Sequence, residues 1–227
     1  MEQYKLGKTP IQMPTGWHDV NYNKAIKILT EDLNEIQTLA LLTGRSEKKI
    51  RTATDTATIF YFMNAFGFIK GLPQKINEFP RSVKLGPDRL IFPFVSYADE
   101  FDLGKADVGQ VEDMLLMINK MNTEFIGKEE RLLTELELIQ ITPFLVAIYL
   151  QKILDGKYNG EKALALVDRV KEELSFKEVV SIGTFFLNRL PSFRGGQPNL
   201  WRKYNSKVKK LKRGLLNLIQ RLVSLLP

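Results

Sequence analysis

The segment from residue 200 onward contains the most regular pattern in the sequence. Eight apolar residues follow one another at alternating steps of three and four residues, which places their side chains along one side of an α-helix. They are Trp201, Tyr204, Val208, Leu211, Leu215, Leu218, Leu222 and Leu225. A second apolar line widens the stripe toward the C terminus. The pattern predicts an amphipathic helix over 200–227 and assigns these eight residues to a protein interface.

The same segment is strongly basic. After Glu178 the chain has ten Lys and Arg residues and no acidic residue, whereas residues 1–178 hold 23 basic and 26 acidic residues. The first half of the predicted helix carries a candidate anion-binding set: Arg202, Lys203, Lys207, Lys209, Lys210, Lys212 and Arg213. This asymmetry favours an anionic partner, which is nucleic acid, a membrane surface or an acidic protein face such as that of a neighbouring copy.

Three interpretations of this helix are open. In the first, the apolar stripe packs on its own domain and the charges are solvated. In the second, the helix docks on a partner or another copy, which the Gly/Pro-rich linker over 191–199 would allow. In the third, the lysines contact lipid or nucleic-acid phosphates. No run of 18 apolar residues occurs, so the sequence predicts no transmembrane segment.

The rest of the sequence predicts a mainly α-helical fold, a multi-helix bundle with one small β-hairpin. Residues 1–16 contain two glycines and two prolines and predict an extended N-terminal arm. Residues 17–190 form the helical body. The hairpin is expected at about residues 81–95, with its turn at Gly86-Pro87-Asp88, and Pro93 keeps its second strand from a central position.

Capping residues and breakers set the predicted helix ends. Helix starts are expected at four positions: after Thr30, after Ser46, at a capping box of Asp107 with Gln110, and at a capping box of Ser175 with Glu178. Gly44 ends the second helix. The aromatic segment 55–68 favours a core helix over a surface that stacks on nucleic-acid bases, because Lys70 is the one cation near it. The helix over 132–154 is expected to kink at Pro143.

The chemistry of sites is limited by composition. The chain has no Cys and one His, which excludes disulfides, thiolate metal sites and multi-histidine centres. His18 beside Asp19 favours a local hydrogen bond over a catalytic pair, and no phosphate-binding loop or nucleophile elbow occurs. An acidic group favours capping and solvated surface over metal binding: Asp99, Glu100, Asp102, Asp107, Glu112 and Asp113. The sequence therefore predicts no enzyme, no cofactor and no metal site.

Several short segments carry a resemblance in a fixed order. They are Met13-Pro-Thr-Gly-Trp-His-Asp-Val20, Leu41-Leu-Thr-Gly44, the predicted hairpin, Asp107-Val-Gly-Gln110 and Thr184-Phe-Phe-Leu-Asn188. Together they resemble a group of tailed-bacteriophage tail and neck morphogenesis proteins, including ones of Bacteroidetes phages and crAss-like phages. The resemblance covers about residues 13–190, and the basic C-terminal helix is not part of its pattern.

The resemblance implies a non-enzymatic structural or assembly protein with no catalytic residues to carry over. We expect a subunit of a head–tail connector or tail ring that contacts other phage structural proteins and copies of itself. The expected location is the virion, after assembly in the host cytoplasm, since no signal-peptide pattern follows Met1. Two alternatives stay open: a cytosolic tail assembly chaperone that leaves before maturation, and a module that binds nucleic acid or membrane through the C-terminal helix.

Overall fold

The computed structural model describes residues 2–6, 9–53, 56–72, 79–92, 107–126 and 134–189. The predictions for Pro93, for the linker 191–199 and for the helix 200–227 lie outside these residues. Met1–Phe185 form one compact unit; of the second unit, Phe186–Pro227, the described part is the end of the last helix.

The described part of the chain is mainly helical, which confirms the predicted fold class. The helices are α1 (Tyr22–Thr30), α2 (Glu35–Thr43), α3 (Glu47–Ala53), α4 (Thr56–Ala65), α5 (Val108–Ile126), α6 (Glu135–Asp155), α7 (Gly160–Glu173) and α8 (Phe176–Arg189), with a 3-10 helix over Gly67–Lys70. The strands β1 (Glu2–Leu6) and β2 (Thr9–Met13) form one antiparallel hairpin, and β3 (Ser82–Leu85) and β4 (Asp88–Ile91) form another.

The first hairpin gives the predicted N-terminal arm a definite structure. Its extended backbone agrees with the prediction, but β1 pairs with β2, with Tyr4 opposite Ile11. Ile11 and Met13 are buried, whereas Gln12 between them is exposed. This alternation is the signal of a half-buried strand, so this part of the segment packs on the body.

The second hairpin lies where the sequence predicts one. Val83 and Leu90 face each other in the register and are both buried. Gly86 in the turn has φ 61°, and a Cβ atom there would lie 2.8 Å from the Arg169 guanidinium of α7. The turn therefore needs glycine for its left-handed backbone, whereas the flexible Arg169 side chain could move away from an added Cβ atom.

Local capping explains most helix boundaries. Ser46 caps α3 and Gly44 ends α2 in the left-handed conformation, as predicted. At the start of α8 the Glu178 carboxylate accepts the Ser175 N–H at 2.9 Å, which confirms that capping box. The prediction that Thr30 caps α2 is wrong: Thr30 is the last residue of α1, and Asn34 caps α2. Residues 31–33 separate the end of α1 from Asn34, and Asn34 forms a capping box with Gln37, the third residue of α2.

The helix α6, which has ten buried residues, contains a proline, and other donors replace the hydrogen bond that this proline removes. Pro143 has no N–H, so the Ile139 carbonyl lacks its partner within the helix. Thr142 Oγ1 donates to that carbonyl at 2.6 Å, and the Tyr22 hydroxyl of α1 donates to it at 3.1 Å. Burial raises the pKa of Tyr22, so the hydroxyl remains a donor. The lost backbone bond is thus replaced by a link between α1 and α6.

The segment before α1 pairs with the connection between α7 and α8. Phe176 N donates to Val20 O at 2.7 Å, and Tyr22 N donates to Leu174 O at 3.2 Å. Trp17 is buried against the Phe176 ring, with ring centroids 4.9 Å apart, and its indole N–H donates to Gly71 O at 2.9 Å. The Trp17 motif therefore holds both ends of the helical body together.

A glycine-to-alanine change tests how closely α6 and α8 approach. We expect Gly183→Ala to lower the free energy of unfolding by ~1–3 kcal/mol, because its new methyl group would overlap Thr142 Cβ and lie within 2.9 Å of Thr142 Cα. Urea unfolding followed by circular dichroism measures this. Gly67→Ala is the control, since a Cβ atom at Gly67 meets nothing within 4 Å. Equal stability of the two variants would contradict the close approach.

Candidate interaction surfaces

Every residue that the sequence assigns to protein interface or anion binding falls between positions 201 and 225, outside the described residues. Those assignments stay predictions. The described residues show what the polar side chains singled out in the sequence contact and where apolar side chains remain exposed.

His18 and Asp19 belong to one polar cluster on the surface. The Asp19 carboxylate accepts hydrogen bonds from Thr15 N at 2.9 Å and Thr15 Oγ1 at 2.8 Å. His18 Nε2 lies 3.6 Å from the same carboxylate oxygen and 3.3 Å from Thr15 Oγ1. In a catalytic triad the acid and the hydroxyl bind opposite imidazole nitrogens. Here both lie at Nε2 and the hydroxyl is bonded to the acid, so the cluster is built as a local cap of the turn before α1.

The pKa of Asp19 reflects this cluster. Burial raises it, but other interactions, among them the hydrogen bonds from Thr15 and the charge of the neighbouring His18, outweigh burial and bring the pKa to about 2. The ionised form is the one that these donors hold in place. The carboxylate therefore stabilises the folded turn only while it is charged.

Two of the three described members of the acidic group, Asp107 and Asp113, have structural roles. Asp99, Glu100 and Asp102 lie outside the described residues. Asp107 pairs with Lys152 at 3.2 Å, and Asp113 accepts a hydrogen bond from the Tyr158 hydroxyl. Among the residues that the structure describes, no three His, Asp or Glu side chains gather in a way that suits a metal ion.

The helix α5 begins directly after Asp107, as predicted, but the capping box with Gln110 is wrong. The Gln110 side chain is buried and donates from Nε2 to Ile148 O of α6 at 3.2 Å. Because it faces the neighbouring helix, it does not turn back to cap its own. A second buried amide, Gln151, similarly accepts the Asn159 N–H at 2.8 Å and fixes the connection to α7. These amides hold α5, α6 and α7 in register.

The Asp113–Tyr158 pair links α5 to the residues just before α7. Burial and the hydrogen bond with Asp113 raise the pKa of Tyr158, so the phenol stays protonated as the donor. A Cβ atom at Gly160 would lie 2.5 Å from Asp113 Oδ2. The first turns of the two helices therefore lie side by side.

The aromatic segment is not uniformly core, which corrects the prediction. Phe62 and Phe66 are buried, but Phe60 and Tyr61 are each 59% exposed. The helix α4 has no charged residue in its ten positions, so composition gave no sign of a solvated side. Each residue of a helix is turned 100° from the one before it. Phe60 and Tyr61 therefore lie on a different side of α4 from Phe62 and Phe66.

Four other large apolar side chains are mostly exposed among the described residues. They are Ile91 on β4, Val108 and Leu116 on α5, and Leu164 on α7. Single exposed apolar residues are ordinary, but those of α5 and α7 lie on helices that are in contact. The described part of the molecule therefore has two regions with exposed apolar side chains, one on α4 and one on α5 and α7.

In the described part of the chain, one helix, α6, is long and apolar enough to cross a membrane. Its length and composition equally suit the central helix of a soluble protein, and ten of its residues are buried.

The comparisons with known proteins gave no family model, no curated protein and no solved structure that matches this chain. The candidate surfaces therefore stand on the geometry and on the sequence pattern.

The Asp19 cluster predicts a component of acid sensitivity. Because the pKa of Asp19 in the folded state lies below its ordinary value of 3.8, its contribution is full above pH 4 and is lost as the pH falls toward 2. We expect Asp19→Asn to be less stable than the wild type at pH 6 and to lose less stability between pH 4 and pH 2, measured by urea unfolding. Asp32→Asn is the control, because that side chain is exposed. An identical acid profile for Asp19→Asn and the wild type would refute this role.

Proposed function

We propose that this chain is a non-enzymatic bacteriophage structural or assembly protein, a subunit of a ring at the head–tail connector or tail. The observation that carries the proposal is the apolar seam of residues 201–225, with its cationic flank and its preceding Gly/Pro linker. Such a seam at the end of a linker suits contact with another subunit. The resemblance of residues 13–190 to phage morphogenesis proteins supplies the setting.

The action of such a subunit is geometric. A helical body with tightly capped helices keeps the subunit's shape, and the terminal segment reaches a neighbouring copy or another phage structural protein. The Thr15–Asp19 and Asp113–Tyr158 groups fit a body that keeps its shape, because they hold backbone and helices in place.

A charge introduced into the seam tests the proposal. We expect the full chain to associate in a concentration-dependent way in size-exclusion chromatography with light scattering, and Leu215→Asp with Leu222→Asp to weaken this association by at least ~30-fold, the effect of losing an interface hot spot. Asn205→Asp with Asn217→Asp adds the same charge off the seam and serves as the control. Association that is unaffected by the seam changes, or an equal loss in both variants, would argue against the seam as the contact.

The location distinguishes the ring subunit from the assembly chaperone. Mass spectrometry of purified virions is expected to find this chain in a fixed ratio to other tail or connector proteins. If the chain is required for assembly but is missing from mature particles, the chaperone alternative replaces the ring.

A second candidate function is favoured by the ten cations after Glu178 with no acidic residue among them. It is binding to an anionic surface, either nucleic acid or lipid. This binding should fall steeply with ionic strength and disappear when Lys207, Lys209, Lys210 and Lys212 become Glu, as measured by fluorescence anisotropy with DNA and by sedimentation with anionic vesicles. Salt-independent binding would exclude it.

A further inference from the structure

We propose that copies of this chain associate head to tail, with the surface of α3 and α4 on one copy against the surface of α5 and α7 on the next. The contact deepens the proposed oligomeric function, on which it rests, and uses residues within the body of the protein.

The first surface, here the basic aromatic face, consists of Arg45, Lys48, Lys49, Arg51, Phe60 and Tyr61. Residues 45–53 hold four basic residues and one acidic residue, a net charge of +3. The helix α4 follows after two residues and has no charge of its own. A helix that is apolar all round is normally covered, yet Phe60 and Tyr61 are each 59% exposed. Apart from the contact of Tyr61 with Tyr4, this side of α4 is therefore mostly uncovered.

The β1–β2 hairpin connects the two parts of the basic aromatic face. Arg45 Nη2 donates to the Pro10 carbonyl of β2 at 3.4 Å. Tyr4 lies on the neighbouring strand, and its ring packs against Tyr61 edge to face at 6.5 Å. Arg45, two residues before α3, and the Tyr61 ring of α4 thus border the same hairpin.

The second surface, here the acidic leucine face, consists of Glu112, Leu116, Glu161, Leu164 and Asp168. Asp113 of α5 lies over Gly160 of α7, and both helices continue from this point. Leu116 and Leu164 come about one turn later on each helix and are 56% and 55% exposed. The two helices contain seven acidic and four basic residues, a net charge of −3.

The two faces complement each other in charge and in polarity. Of the six large apolar side chains that are mostly exposed in the described part of the chain, five lie on these faces or their helices. Residues 45–53 carry a net charge of +3, and the helices α5 and α7 together carry −3. This difference favours contact between unlike faces and opposes contact between like ones. A second copy of this chain is therefore the partner that fits, and each copy offers one face of each kind. Contacts of unlike faces build closed rings or open filaments.

Two single-face variants of the full chain test the contact. Phe60→Ser with Tyr61→Ser removes the basic aromatic face, and Leu116→Ser with Leu164→Ser removes the acidic leucine face. Each variant should associate at least ~30-fold more weakly than the wild type in analytical ultracentrifugation. Mixed together, they should form a one-to-one dimer in native mass spectrometry, because each variant keeps the face that the other has lost. Ile91→Ser is the control, since Ile91 is exposed on β4, outside both faces.

The contact should also weaken with salt, because opposite charges attract less in a screened solvent. The proposal is overturned if both variants, folded by circular dichroism, associate as the wild type does, if their mixture stays monomeric, or if Ile91→Ser weakens association to the same extent.

The seam variant of the previous subsection separates this contact from the proposed function. If Leu215→Asp with Leu222→Asp abolishes association while the two single-face variants retain it, the oligomeric function holds and the head-to-tail contact is wrong. If the wild-type chain is monomeric at every concentration and is missing from virions, both are wrong.

Discussion

The architecture depends on the burial of α6, and on one carbonyl within it. Pro143 removes the backbone donor that would bond the Ile139 carbonyl, and an unpaired carbonyl in the core costs ~1–3 kcal/mol. Thr142 and Tyr22 both donate to it instead. Since Tyr22 lies on α1, the defect in one helix becomes a specific link to another. The helices α5, α7 and α8 then pack around α6, so a change at this point would be felt across the body.

Features encoded by a few neighbouring residues were predictable from the sequence. The Ser175–Glu178 capping box, the glycine that ends α2 and the turn of the second hairpin are all decided within about five residues, and the structure has each of them. Features that depend on distant residues were not predictable. Gln110 binds a carbonyl 38 residues away in sequence, and no local pattern announces such a partner. The first hairpin was missed because the alternation around Gln12 covers too few residues to outweigh the surrounding glycines and prolines.

The same distinction limits what the sequence says about the candidate surfaces. An aromatic-rich, uncharged segment predicts burial, and for Phe62 and Phe66 that is right. The exposed positions of Phe60 and Tyr61 depend on which side of α4 meets α2 and the β1–β2 hairpin, and that side is set by tertiary packing. Leu116 and Leu164 are 48 residues apart in sequence, so the surface that we propose for them can form only once α5 and α7 have packed together.

The charge distribution determines which symmetry suits the chain. In a two-fold symmetric dimer the surface at the symmetry axis meets its own copy, so a dimer formed through one face alone would set cations against cations or carboxylates against carboxylates. Desolvating like charges is costly, whereas rotation from one copy to the next brings opposite charges together and covers the aromatic and leucine side chains in the same step. The charges therefore favour contact between unlike faces, which the proposed head-to-tail arrangement provides. The predicted C-terminal helix would reinforce this proposed contact if it reaches the neighbouring copy.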